Sequence, residues 1–241
     1  MKELQKIMSL VRQAVSHYDM IHDGDKIAVG MSGGKDSAAL LFALAHMREF
    51  MPVKYELCAV TVDMGFDGWH EKLTALSDFA NALDIEYQIV DTQIARIVFE
   101  EKKVKNPCSL CAKLRRGALN SAAAEMGANK VALGHHLDDA VETFMMSLMH
   151  EGRIGCFSPV TWYEDSRFFV IRPLVYTPER EVRALVRAAN LPVIESDCPE
   201  NGHTERAEMK KYLRSFDVLH RGLYKRILGA MERGGIDGWH I

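Results

Sequence analysis

A six-residue segment, Ser32-Gly33-Gly34-Lys35-Asp36-Ser37, joins the short apolar run Lys26 to Met31 to the helix-length run Asp36 to Met47. Two adjacent glycines admit backbone angles closed to other residues, so the chain can curl until several N–H groups point at one place. The helix that opens there adds the positive end of its dipole. The hydroxyls of Ser32 and Ser37 and the charge of Lys35 complete a set of donors suited to an anion. A strand that turns on glycines straight into a helix also restricts the fold, because the helix must pack back on a sheet in which that strand lies.

The rest of the chain obeys this restriction. Runs of strand length at Tyr55–Val62, Glu86–Val90, Lys130–Leu133 and Phe168–Ile171 alternate with amphipathic segments at His70–Leu83, Leu110–Met126 and Asp138–Met149. Thr177-Pro178-Glu179 carries the signature of a helix start, with the helix reaching Ala189. Between the third strand and Leu110 the chain reads as basic and irregular. The alternation predicts an α/β fold, a doubly wound parallel sheet with helices on both faces. Residues 1–22 read as an amino-terminal helix (Leu4, Ile7, Met8, Val11 and Val15 at helical spacing), 23–200 as the main domain, and 201–241 as a small helical extension broken near His220 to Gly222. In such sheets the ligand sits beyond the carboxyl ends of the strands, where strand order reverses; the glycine turn is the candidate for that place.

The net charge of −3 excludes a protein coated with basic residues, but two stretches are locally basic. From Arg96 to Lys130 eight Lys or Arg face three Glu, and from His203 to Arg233 eight face four acids. They nominate Lys102-Lys103, Arg115-Arg116 and Lys210-Lys211 for an anionic partner. No apolar run approaches the roughly 18 to 20 residues of a membrane span. The expected location is the cytosol, where the five cysteines would stay reduced.

Asn106-Pro107-Cys108-Ser109-Leu110-Cys111 places two thiols one turn apart at a helix start, beside Lys113, Arg115 and Arg116. Both the helix end and the cations favour thiolate. The pair alone is ambiguous between zinc, iron–sulfur and a redox dithiol. Cys198, in Ser196-Asp197-Cys198-Pro199, is a third candidate, and Asn201 stands where a second Cys-x-x-Cys would finish. A structural zinc wants four ligands, whereas three thiolates suit a four-iron cluster with one iron open. Cys58, inside an apolar strand, reads as a core residue; Cys156, in a loop after Gly155, stays open as a partner.

The glycine turn lacks both the Gly-x-x-x-x-Gly-Lys-Ser/Thr and the Gly-x-Gly-x-x-Gly patterns, since Val29 stands where a first glycine belongs and Asp36 follows the lysine. Ser-Gly-Gly-x-Asp-Ser instead resembles the PP-loop family of ATP pyrophosphatases. With Cys108-Ser-Leu-Cys111-x-x-Leu-Arg115-Arg116-Gly, Leu133-Gly134-His135-His136-x-Asp138-Asp139 and Ile171-Arg-Pro-Leu174 in this order, the chain from Asp23 to Cys198 is similar to the TtcA family, tRNA 2-thiocytidine synthetases. The resemblance implies ATP on Gly30, Ser32, Gly33, Gly34, Lys35, Asp36 and Ser37, with adenosine against Val62 and Asp63 and with Gly134 and His135 nearby. It also implies Mg2+ on Asp138 and Asp139, and a [4Fe–4S] cluster on Cys108, Cys111 and Cys198. Lys35, Asp36, Asp138 and Arg115 would act in catalysis alongside the three cysteines; His136 would be structural. Cytidine 32 of tRNA would be the substrate, sulfide or a cysteine desulfurase the sulfur source, and a homodimer the working form. Three other chemistries fit the same residues: a cysteine persulfide, a PP-loop ligase forming another adenylate, and a non-enzymatic ATP- and redox-sensing module.

Overall fold

The computed structural model describes residues 1–66, 68–102, 107–164, 168–195, 197–199 and 205–241. Sequence readings that involve Lys103, Asn106, Ser196, Asn201, His203 and Thr204 lie outside the described residues. Six strands, β1 (Asp25–Gly30), β2 (Tyr55–Asp63), β3 (Glu86–Asp91), β4 (Lys130–Ala132), β5 (Val160–Tyr163) and β6 (Phe168–Ile171), form one sheet in the order β3-β2-β1-β4-β6-β5. The helices are α1 (Lys2–His17), α2 (Lys35–Met47), α3 (Trp69–Lys72), α4 (Thr74–Ala82), α5 (Ile94–Arg96), α6 (Pro107–Glu125), α7 (Leu137–His150), α8 (Glu179–Ala188), α9 (Glu205–Leu219) and α10 (Leu223–Arg233).

Alternation along the central strands sorts the two faces. Ile27 and Val29 of β1, with Leu57 and Ala59 of β2, join the main core with α1, α2 and α8. Ala28, Cys58 and Val60 point the other way, to Leu119, Ala122 and Ala123 of α6. Met209, Leu213, Leu228, Met231 and the fully buried Trp239 belong to the main core, so the carboxy-terminal helices share it. Strand order reverses between β1 and β4, whose neighbours β2 and β6 lie on opposite sides, and this puts the loops after β1 and β4 at one crevice.

Four expectations need correction. The sheet is not wholly parallel: β5, which sequence periodicity did not mark, pairs antiparallel with β6, Val160 opposite Ile171 and Tyr163 opposite Phe168. The single helix over His70–Leu83 is two, broken at Leu73, where the Thr74 hydroxyl donates to Glu71 O at 3.1 Å instead of facing away. The stretch after β3 is not irregular, because a short helix at Ile94–Arg96 continues into a π-helical turn at Ile97–Glu101. The next helix also starts three residues early, at Pro107, a residue preorganised for a first helical turn. Among the described residues no helix is long and apolar enough to cross a membrane.

Candidate functional site

The turn after β1 closes on its own side chains. Ser37 Oγ donates to Gly34 O at 2.9 Å and accepts from Ser32 N at 3.2 Å, and Gly34 N donates to Ser32 Oγ at 3.3 Å. Gly33 holds φ +78°, the left-handed region that costs glycine nothing. The tip of β4 comes against this turn so closely that a Cβ on Gly134 would lie 2.9 Å from the Asp36 carbonyl carbon.

Lys35 does not point into open space. Its Nζ lies 2.8 Å from Asp36 Oδ2 and 3.2 Å from Glu179 Oε1. Burial works against its charge, but these two carboxylates outweigh burial and raise its pKa. Glu179, at the start of α8, is buried and gathers three more cations: Arg183 at 2.8 Å, Lys210 at 2.8 Å and Arg214 at 3.2 Å. Burial alone would push its carboxyl up; Lys210, Lys35 and Arg183 instead hold it well below the usual carboxylate range. Lys210, nominated from sequence for an outer basic surface, therefore turns inward, while Lys211 is exposed.

His136, Asp138 and Asp139 open α7. His136 N donates to Asp139 Oδ2 at 3.0 Å and Asp139 N to His136 Nδ1 at 3.3 Å, a reciprocal cap. Accepting at Nδ1 leaves the His136 proton on Nε2, which lies 3.5 Å from Asp36 Oδ1. Asp138 Oδ2 accepts from Glu179 N at 2.8 Å and so caps α8. Asp139 Oδ1 lies 3.4 Å from Arg206 of α9. His135 has its pKa pushed down to about 4 by burial and then by Arg172, so its ring is neutral.

The turn, His135 and Asp139 border a cavity of about 560 Å³ between the strand ends and α6, whereas Lys35, Asp138 and Glu179 do not line it. Of the residues nominated from sequence, Gly30, Ser32, Asp36, Ser37, Val62, Gly134, His135, Asp139, Cys111, Arg115 and Cys198 line it. Cys111 and Cys198 are far apart in sequence, yet both stand on the wall that the glycine turn also forms. Burial raises the Cys111 thiol's pKa, Arg115 opposes, and the nearby Cys198 and Cys108 add to the rise. Cys111 thus feels both other thiols, one of them exposed at Cys108, and thiolates are the soft donors that an iron–sulfur group takes. Asp63 ends β2 as expected, but its carboxylate accepts from Gly65 N at 2.8 Å and lies 3.3 Å from His70 Nδ1.

Several lining or supporting residues escaped the sequence reading. Arg172, quoted only as part of the Ile171-Arg-Pro-Leu174 motif and given no role, is buried, donates to Ser158 O at 2.7 Å and lies over the Phe157 ring. Arg116, which the sequence had nominated with Arg115, also lines the cavity and lies over Tyr163 at 5.1 Å, on the strand that was missed. Glu179 was read as a helix-start acid, and nothing local distinguishes it from one.

Glu142, one turn beyond Asp138, is 1% exposed and has its pKa raised to about 7 by burial, with Lys210 opposing and Asp139 adding. A folded pKa above the unfolded value means stability that is full below the unfolded pKa and lost as pH rises through 7. Glu142→Gln is expected to leave the melting temperature unchanged at pH 5 and raise it by several degrees at pH 8, a gain on the order of 2 kcal/mol. Thermal unfolding in metal-free buffer checks this, and equal shifts at both pH values would contradict it.

The PP-loop domain family matches residues 4–214. The tRNA-cytidine(32) 2-sulfurtransferase of Teredinibacter turnerae is 39% identical over 228 residues, 92% of this chain and 74% of that one. Its counterpart in Syntrophotalea carbinolica is 37% identical over 246 residues, covering 98% and 91%. Among solved structures, the U34-tRNA thiolase NcsA from Methanococcus maripaludis with its [4Fe–4S] cluster matches with a TM-score of 0.78 at 27% identity, covering 96% of this chain and 78% of that one. The NH3-dependent NAD synthetase of Campylobacter jejuni, at 17% identity and a TM-score of 0.52, shares the fold.

Proposed function

The chain belongs to the PP-loop family and within it to the tRNA-cytidine(32) 2-sulfurtransferases, and we propose that it activates the C2 oxygen of a tRNA cytidine, position 32 by likeness, with ATP and replaces it with sulfur. It is a tRNA sulfurtransferase that uses ATP and an iron–sulfur cluster. The observation that carries the finer reading is the shared wall, with Cys111 and Cys198 facing the cavity that the Ser32–Ser37 turn closes.

In this reading the C2 oxygen attacks the α-phosphorus of ATP, the bond to the bridging α–β oxygen breaks, and pyrophosphate leaves into the amides of the turn. Lys35 then exchanges the Glu179 carboxylate of α8 for the departing phosphates, while Asp36, its partner at the turn, stays beside it. Of the expected Mg2+ pair Asp138 and Asp139, only Asp139 lines the cavity and would hold the ion, with Asp36 in place of Asp138, whose Oδ2 caps α8. Arg115, one turn below Cys111, faces the charge that develops on the α-phosphate. A [4Fe–4S] cluster on Cys108, Cys111 and Cys198 would supply an iron with an open position to present sulfur to C2. The C2–oxygen bond then breaks and AMP carries the oxygen away. His135 stays neutral through this, so it can accept or donate a hydrogen bond without adding charge beside the base.

Nucleoside mass spectrometry on tRNA from cells with and without the gene tests the reading. Loss of 2-thiocytidine in the deletion is expected, restored by the wild type and not by Cys108→Ala. An unchanged set of thionucleosides would remove tRNA cytidine as the substrate.

A further inference from the structure

The segment that carries Cys198 is fastened to the glycine turn at backbone level. Ile194 N donates to Gly33 O at 2.8 Å. The Ile194 side chain fills the space beside the same residue: a Cβ on Gly33 would lie 3.2 Å from Ile194 Cβ. Three residues further on, Asp197 pairs with Lys72 of α3 at 2.6 Å, and Cys198 follows on the cavity wall. Four peptide units therefore separate the turn's own hydrogen bond from the third sulfur, and the second pin lies within them.

The fastening point has a particular geometry. Gly33 C=O and Gly34 N–H belong to one peptide unit, which is planar and turns as a rigid plate. The N–H edge of that plate faces the inside of the turn, where it now donates to Ser32 Oγ at 3.3 Å. The C=O edge faces Ile194. An anion captured by the turn competes with Ser32 for the Gly34 N–H, and any rotation that follows moves the carbonyl Ile194 is bound to. Gly33 can follow such a rotation because a glycine at φ +78° carries no Cβ to oppose a change of backbone angle.

We infer that Ile194 is a positioning residue through which occupancy of the phosphate turn sets the placement of Cys198. The inference rests on the reading of the turn as the ATP site. Coupling between two sites is reciprocal, so fixing Cys198 changes nucleotide affinity by the same factor that nucleotide changes Cys198. The device would make the sulfur site ready only when ATP is in place.

The test needs no iron. Alkylation of Cys198 by iodoacetamide is followed by mass spectrometry in cluster-free protein, anaerobically, with and without Mg2+ and a non-hydrolysable ATP analogue. In the wild type the analogue is expected to change the Cys198 rate by about fivefold or more and to leave Cys156 unchanged. Ile194→Pro, which deletes the N–H donor to Gly33 and also trims the side chain and fixes φ, should bind the analogue and lose most of that change. Ile194→Ala, which keeps the N–H, should retain it. An equal effect in Ile194→Pro and wild type would mean that the nucleotide merely shields the thiol, and the inference falls. No effect in wild type with the analogue bound also overturns it. Failure of the analogue to bind would instead sink the reading of the turn, and the coupling with it.

Discussion

Cys111→Ala is expected to lower the thiolation rate by at least about a thousandfold while leaving affinity for a non-hydrolysable ATP analogue, compared with wild type in cluster-free protein, within about twofold. The separation follows from where the residue stands. Cys111 and the turn share a cavity, but the turn's anion-binding groups are fixed by Ser32, Ser37 and the first turn of α2, none of which Cys111 touches in building that geometry. Single-turnover thiolation of tRNA transcripts and titration calorimetry read the two halves separately. Iron content of anaerobically reconstituted protein should fall with the rate. Cys58→Ala and Cys156→Ala serve as internal comparisons: burial pushes the Cys58 thiol up to about 11 and the Cys156 thiol up to about 12, so both stay protonated at neutral pH. A Cys111→Ala protein that still thiolates at a tenth of the wild-type rate would exclude a direct role for this sulfur. Loss of activity with iron retained would point to a persulfide route instead.

The parts of this site that were legible in the sequence are those where chemistry and local structure coincide. The Ser32–Ser37 turn had to follow a strand and open a helix to work, so its residues announced both the fold and the ligand class. Gly134 to Asp139 did so again at the end of β4. Cys108 and Cys111 were readable because helical spacing brings them together within one element. Cys198 could be nominated as a third cysteine, but its place beside Cys111 followed only from resemblance, since eighty-odd residues and five strands or helices separate the two and no local rule joins them. Glu179 shows the opposite limit. Its importance lies entirely in partners drawn from α2, α8 and α9, and a glutamate two residues after a threonine and next to a proline looks in sequence like any helix-start acid. The antiparallel β5 was hidden for another reason. Four residues at a sheet edge, none fully buried, give too short an alternation to stand out from a loop. The break at Leu73 was hidden because buried Trp69, Leu73 and Leu76 keep helical spacing across it.

Gly134→Ala is expected to cost about a hundredfold or more in kcat/KM for ATP, with a stability loss of roughly 1 to 3 kcal/mol. The added Cβ would lie 2.9 Å from Asp36 C, 3.0 Å from Ser37 N and 3.1 Å from Asp36 O. All three are backbone atoms of the first turn of α2, so no side chain can swing aside to admit it. Either the tip of β4 moves out of register with β1 or α2 shifts, and each motion displaces the amides that face the phosphates. His135 and the cap formed by His136 and Asp139 follow directly and move with the tip. The amino-acid type added is an unlikely culprit in itself, and Gly117→Ala separates the two effects. Gly117 lies in α6 with nothing within 4 Å of its Cβ position. There alanine should raise stability by about 0.5 to 1 kcal/mol through helix propensity alone. Thermal unfolding and analogue binding on both variants decide the matter. If Gly134→Ala binds the analogue as tightly as wild type, the close approach of β4 to the turn has no part in holding ATP. If binding falls and tRNA affinity does not, the contact between β4 and α2 is what fixes the turn's donors.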